Sequence, residues 1–159
     1  MADGPKTEAR LPSKEKVSKS KINVLIVEDE PSVLLFVTRA ISMFGGYKTI
    51  STDSTVGALN ILRESQAKNQ PVDLILSDLG LTDNPAGGFE IANAAKSEQL
   101  AKYFILFTGR AGDIRSGNTQ EQLKEKGIDS IADKPISIND LKDTLNKGKE
   151  AIESAQVSQ

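Results

Sequence analysis

Short apolar runs alternate with helically spaced apolar positions along most of this chain. Residues 22–27 (INVLIV) are β-branched and almost wholly apolar, the pattern of a strand buried on both faces. A polar turn follows, Glu28-Asp29-Glu30-Pro31-Ser32, with a proline placed as at the start of a helix. Val33, Leu34, Phe36, Val37, Ala40, Ile41 and Phe44 then recur at helical spacing, and Gly45-Gly46 is expected to stop that helix. Residues 47–51 predict a short strand. Val56, Leu59, Ile61 and Leu62 predict a second helix, with Asp53 and Ser54 as capping candidates. Pro71 announces a third strand over 72–77, which ends at Asp78. A Gly/Pro-rich loop over 79–88 leads to a helix at 89–98. Residues 103–107 form a fourth strand ending at Thr108; 109–119 reads as a polar loop, and 120–126 as a helix. A weaker fifth strand at 128–132 stops just before Lys134-Pro135. Ser137, with Asp140 three residues on, opens a last helix whose apolar face is Ile138, Leu141 and Leu145. Gly148 is expected to end it.

Five strands alternating with five helices imply an α/β fold, a doubly wound parallel sheet covered on both faces. Such sheets carry their sites at the carboxyl ends of the strands. Those ends hold Glu28 and Asp29, Asp78, Thr108 and Lys134. Three carboxylates, a hydroxyl and an ammonium therefore share one rim. Carboxylates packed together repel, which raises their pKa values or demands a cation. Oxygen ligands without His or Cys suit Mg²⁺. Lys134 neutralises part of the charge as a point cation. A phosphoryl group on one carboxylate would find Mg²⁺, Lys134 and Thr108 ready to hold its oxygens.

Composition narrows the chemistry. The 159 residues include no Cys and no His, so disulfides, thiolate metal sites, Ser-His-Asp triads and phosphohistidine carriers are excluded within the chain. Lys plus Arg total 20 against 22 Asp plus Glu, a net charge of −2, which argues against direct nucleic-acid binding. No segment reaches the roughly 18 consecutive apolar residues of a membrane span. Residues 1–20 lack the apolar run of a secretory signal and read as a flexible, mildly basic tail. A cytoplasmic location is expected. The expected domain spans 21–147, with 148–159 a polar tail or frayed helical extension.

The stretches VLIVEDE (24–30), DLILSDLGL (73–81), FTG (107–109) and DKP (133–135) together resemble the receiver domain of two-component response regulators, over roughly 21–147. The resemblance implies a flavodoxin-like (βα)5 fold with strand order 2-1-3-4-5. It implies that Asp78 is the phosphoacceptor, taking a phosphoryl group from a sensor histidine kinase or phosphotransfer protein in a Mg²⁺-dependent reaction. Glu28 and Asp29 would form the acidic pocket, Asp29 as a direct ligand, and Gly80 would offer a backbone carbonyl to the metal. Thr108 would follow the phosphoryl group, and Lys134 would pair with its oxygens. The bond between Lys134 and Pro135 would be cis. Such a domain is a switch rather than an enzyme in its own right, and it signals through an unknown downstream protein. About a dozen residues follow the last helix, too few for an output module, so a stand-alone, CheY-like receiver is expected. Receivers often pair through their fourth and fifth helices, so a homodimer is open to this one, although no apolar stripe compels it.

Three features depart from the family pattern. Ile131 stands three before Lys134, where an aromatic is usual, and it cannot perform the inward swing of that aromatic. Asp133 adjoins Lys134, but strand alternation should point the two to opposite faces. The stretches 81–88 and 109–119 look long, and either gate access to Asp78, form a partner surface or are plain insertions. Two other readings therefore stay open. One is a pseudo-receiver acting as a constitutive interaction domain. The other is an enzyme on the same fold, such as a Mg²⁺-dependent phosphatase or a flavin protein. Against the phosphatase, Gly80 stands where its acid/base Asp would be. Against the flavin protein, Glu28-Asp29-Glu30 stands where a phosphate loop would be.

Overall fold

A computed structural model describes residues 20–157; the expected N-terminal tail lies almost wholly outside them. Five strands, β1 (Ile22–Val27), β2 (Tyr47–Thr52), β3 (Leu74–Asp78), β4 (Tyr103–Thr108) and β5 (Ser130–Asp133), form one parallel sheet in the order β2-β1-β3-β4-β5. Six helices connect and flank them among the described residues: α1 (Pro31–Phe44), α2 (Thr55–Ala67), α3 (Gly87–Ser97), α4 (Ala111–Gly117), α5 (Gln120–Glu125) and α6 (Ile138–Val157).

Strand alternation divides the core into two layers. Val24, Ile26, Leu74, Leu76, Ile105 and Phe107 face α1 and α6, where they meet Val37, Ile41, Leu141, Leu145 and Ile152. Leu25, Val27, Ile75, Phe104 and Leu106 face the other way, against Ala58, Leu62, Ile91 and Leu123 of α2, α3 and α5. This two-sided burial explains why the central strands read as continuous apolar runs rather than alternating ones.

The expected helix signals act locally. Pro31 opens α1, and the helix stops at Gly45 and Gly46, both with positive φ. Ser54 rather than Asp53 caps α2, its Oγ accepting from Gly57 N at 3.0 Å. Thr119 and Gln122 form a reciprocal capping box on α5. Ser137 Oγ accepts from Asp140 N at 3.0 Å.

Two expectations need correction. The stretch 109–119 is not a continuous loop: α4 occupies Ala111–Gly117, with Ala111 and Ile114 buried. Two apolar anchors three apart in a polar, glycine-bearing stretch give too little periodicity to read as a helix. Gly148 does not end the last helix, which continues to Val157. Its role is close packing. A Cβ there would lie 2.7 Å from Leu74 Cδ1 and 3.0 Å from the Tyr103 ring, so the glycine lets α6 approach the sheet. Ile152, one turn further on, is buried against the same face and extends the helix.

Candidate functional site

Strand register assembles the site. Val27 lies opposite Ser77, Asp78 opposite Phe107, and Thr108 opposite Asp133. The residue just beyond β1 therefore arrives beside the end of β3, and the residue just beyond β5 arrives beside the end of β4, from which its side chain crosses to Asp78. Glu28 N donates to Thr52 O at 3.1 Å, and Lys134 N donates to Thr108 O at 3.1 Å, so both segments leave the sheet in fixed positions. The Lys134–Pro135 bond is cis, as expected.

Three of the residues singled out from sequence converge. One carboxylate oxygen each from Glu28, Asp29 and Asp78 lies within 4.8 Å of the others. Lys134 joins them. Its Nζ is 2.7 Å from Glu28 Oε1 and 3.0 Å from Asp78 Oδ2, and it sits 5.0 Å from the centre of the Phe107 ring. Asp133 points the other way, as strand alternation requires, and pairs with Arg115 of α4 at 3.3 Å. Arg115 also donates from Nη2 to Ile131 O at 2.9 Å, tying α4 to β5. The Ile131 side chain packs against the layer beneath α2, α3 and α5.

Each carboxylate is held differently. Glu28 is 2% exposed; its Oε2 accepts from Glu30 N at 3.2 Å. Asp78 Oδ1 accepts from Leu79 N at 2.7 Å. Asp29 Oδ2 accepts from the hydroxyl of Thr82 at 2.7 Å. Burial pushes the Glu28 carboxyl above its ordinary pKa, and the neighbouring charge of Asp78 adds to the rise while Lys134 opposes it. Burial alone would lower the Lys134 ammonium, but its hydrogen bonds to Glu28 and Asp78 outweigh that and raise it.

The other two residues named from sequence flank this cluster. Thr108 is 3% exposed, and its Oγ1 accepts from Arg110 N at 3.0 Å rather than touching Asp78. Gly80 is exposed in the turn after Asp78. Thr82 and Asp83 are the contributors that sequence reading left undistinguished within the loop. Asp83 accepts from Thr55 N at 2.9 Å and Val56 N at 3.1 Å, at the start of α2. The one sequence signal for them was position, since they follow the end of β3 by only a few residues.

The donor set tests whether a divalent cation suits the site. It offers three carboxylates with oxygens at close quarters and no nitrogen or sulfur ligand, which fits a hard cation such as Mg²⁺.

The fold and rim chemistry place the protein among flavodoxin-like α/β proteins of the CheY type. Within that class it belongs to the response regulator receiver domain family, which residues 24–146 match. The chain is 34% identical over 121 residues to the TorCAD operon transcriptional regulatory protein TorR of Escherichia coli O157:H7. It is 25% identical over 150 residues to the sensor histidine kinase RcsC of Escherichia coli. Those alignments cover 75% and 93% of this chain but only 46% of TorR and 14% of RcsC. Among solved structures, a CheY-like response regulator receiver domain protein from Methanospirillum hungatei superposes with a TM-score of 0.67 at 22% identity, over 88% of this chain and 100% of that one. The chemotaxis response regulator CheY4 of Vibrio cholerae superposes at 0.60 and 22% identity, over 81% and 99%. At these identities the structural likeness speaks for the fold.

Proposed function

We propose that this protein is a phosphorylation-dependent signalling switch in which Asp78 accepts a phosphoryl group from the phosphohistidine of a sensor histidine kinase or phosphotransfer protein. The observation that carries the reading is the convergence of Glu28, Asp29 and Asp78 with Lys134 bridging two of them. Family membership supports it.

The geometry is compatible with the following step. An Asp78 carboxylate oxygen attacks phosphorus as the bond from phosphorus to the donor imidazole breaks. The imidazole nitrogen keeps the electron pair and takes up a proton. Such transfers need in-line placement and charge neutralisation more than covalent help from the protein. Lys134, already 3.0 Å from Asp78 Oδ2, supplies a fixed positive charge to the incoming oxygens. Leu79 N, 2.7 Å from Oδ1, holds the carboxylate in one orientation. Thr108 accepts from Arg110 N through a lone pair, so its hydroxyl proton is left to donate to a phosphoryl oxygen, and any movement of Thr108 toward that oxygen would be felt by Arg110 at the start of α4. Glu28, Asp29 and Asp78, with the Gly80 carbonyl, would hold Mg²⁺, which when bound neutralises charge on the transferring phosphoryl group. The modified aspartate adds charge and acceptor oxygens at the rim, which biases a two-state equilibrium read by a protein target.

Intact mass after incubation with acetyl phosphate tests this. Wild type should gain one phosphoryl group only when Mg²⁺ is present, and Asp78→Asn should gain none. Ile131, lacking the usual aromatic ring, supports a second reading, a constitutive interaction domain. Wild type that stays unmodified with both acetyl phosphate and a phosphorylated histidine donor would favour that one.

A further inference from the structure

The turn after β3 is a two-anchor strap across the acidic site. Leu81 N donates to Asn84 O at 2.9 Å and Asn84 N donates to Leu81 O at 3.0 Å, leaving Thr82 and Asp83 at the tip. Leu81 is buried in the core, which fixes one foot of the turn. Asn84 fixes the other, donating to Glu90 Oε1 at 2.6 Å and accepting from Ala86 N at 2.9 Å. The two tip side chains then diverge. Asp83 grips the backbone of α2 at Thr55 and Val56, and Thr82 reaches Asp29.

The three carboxylates differ in what holds them. Lys134 fixes both Glu28 and Asp78, and each also accepts from a backbone N–H. Among the described residues the Asp29 carboxylate has one hydrogen-bond partner, the Thr82 hydroxyl. An ionised carboxylate offers about four lone-pair sites, so one hydroxyl donor leaves the rest free. A hydrogen bond of that kind sets the angle of a metal-binding carboxylate without competing for the metal.

We propose that Thr82 is a positioning residue for the metal site: its hydroxyl, carried on a turn clamped by Leu81, Asn84 and Asp83, orients the Asp29 carboxylate toward a bound Mg²⁺. This rests on the reading of Asp29 as a Mg²⁺ ligand. The role belongs to the hydroxyl rather than to the bulk of the side chain, because Thr82 is exposed and packs no core.

Magnesium affinity measured by calorimetry on the full chain, without phosphodonor, tests the proposal. Thr82→Val keeps the shape and removes the hydroxyl; Thr82→Ser keeps the hydroxyl and removes the methyl. Thr82→Val should bind Mg²⁺ about tenfold more weakly than wild type, while Thr82→Ser stays within about twofold of it. Both should unfold at the wild-type temperature. Thr82→Val that binds as well as wild type, or more tightly, would overturn the proposal while leaving the metal site standing. So would Thr82→Ser that is as weak as Thr82→Val. Wild type that binds no Mg²⁺ at all would overturn both the proposal and the assignment of Asp29 beneath it.

Discussion

Lys134 is held by three groups at once: the Glu28 and Asp78 carboxylates and the face of Phe107. Only 20% of its side chain is exposed, so its charge is weakly screened. Lys134→Ala should therefore destabilise the metal-free protein by about 3 kcal/mol, because it leaves a buried Glu28 unpaired beside a second carboxylate. Denaturation in EDTA measures the loss. Added Mg²⁺ should restore part of it, since a cation that binds only the folded state stabilises it by mass action. Asp83 makes a different prediction. Backbone donation from Thr55 and then Val56 holds its carboxyl below the ordinary range. Its stabilising contribution is thus full above the unfolded carboxylate value and fades as pH falls through the lower folded one. The stability gap between wild type and Asp83→Ala should be constant near neutral pH and shrink in acid. These residues were unequally legible from sequence. Glu28, Asp29, Asp78 and Lys134 announce themselves by standing at the ends of apolar runs. Thr82 and Asp83 are ordinary polar turn residues until the register of the turn sets one beside Asp29 and the other beside α2.

At the level of elements, close approach decides which substitutions the fold accepts. Gly88, in the first turn of α3, lies against the end of β3: a Cβ there would come 2.8 Å from Leu79 Cα and closer still to the Asp78 carbonyl. Those neighbours are backbone and cannot rotate away. Gly88→Ala should cost about 1–3 kcal/mol and, if Asp78 is the acceptor as proposed, should also blunt phosphorylation, because relief of the clash moves Asp78. Gly112 in α4 has nothing within 4 Å of an added Cβ, and its φ is not positive. Gly112→Ala should be neutral or stabilise by up to about 1 kcal/mol. Chemical denaturation of the pair measures both. The same physics explains what sequence reading saw and missed at this scale. The central strands, α1 and the caps at Ser54 and Ser137 follow from local pattern. The extent of α6 does not, because a glycine that usually marks a helix end here marks a contact with Leu74 and Tyr103. Nor does α4, whose two buried residues find partners only once the sheet is assembled.

Across the whole molecule, the 2-1-3-4-5 order puts β3 at the centre with β1 and β4 beside it, so one rim collects residues separated by more than a hundred positions in the chain. That order was not visible in the residues themselves; it came with the family resemblance, and pairing of every strand in parallel register supports it. Among the described residues no helix is long and apolar enough to cross a membrane. Arg115, bonded to Ile131 O and Asp133, links α4 to β5 on the side of the site where Thr108 lies. Where the phosphoryl group lands is the most direct test of how this rim works. Wild type would be treated with acetyl phosphate and Mg²⁺, reduced with borohydride to mark any acyl phosphate, and mapped by peptide mass spectrometry. The mark should fall on Asp78 alone. A mark on Asp29, Asp73 or Asp83 instead, or none in protein shown by intact mass to be phosphorylated, would contradict the assignment of Asp78 as the acceptor.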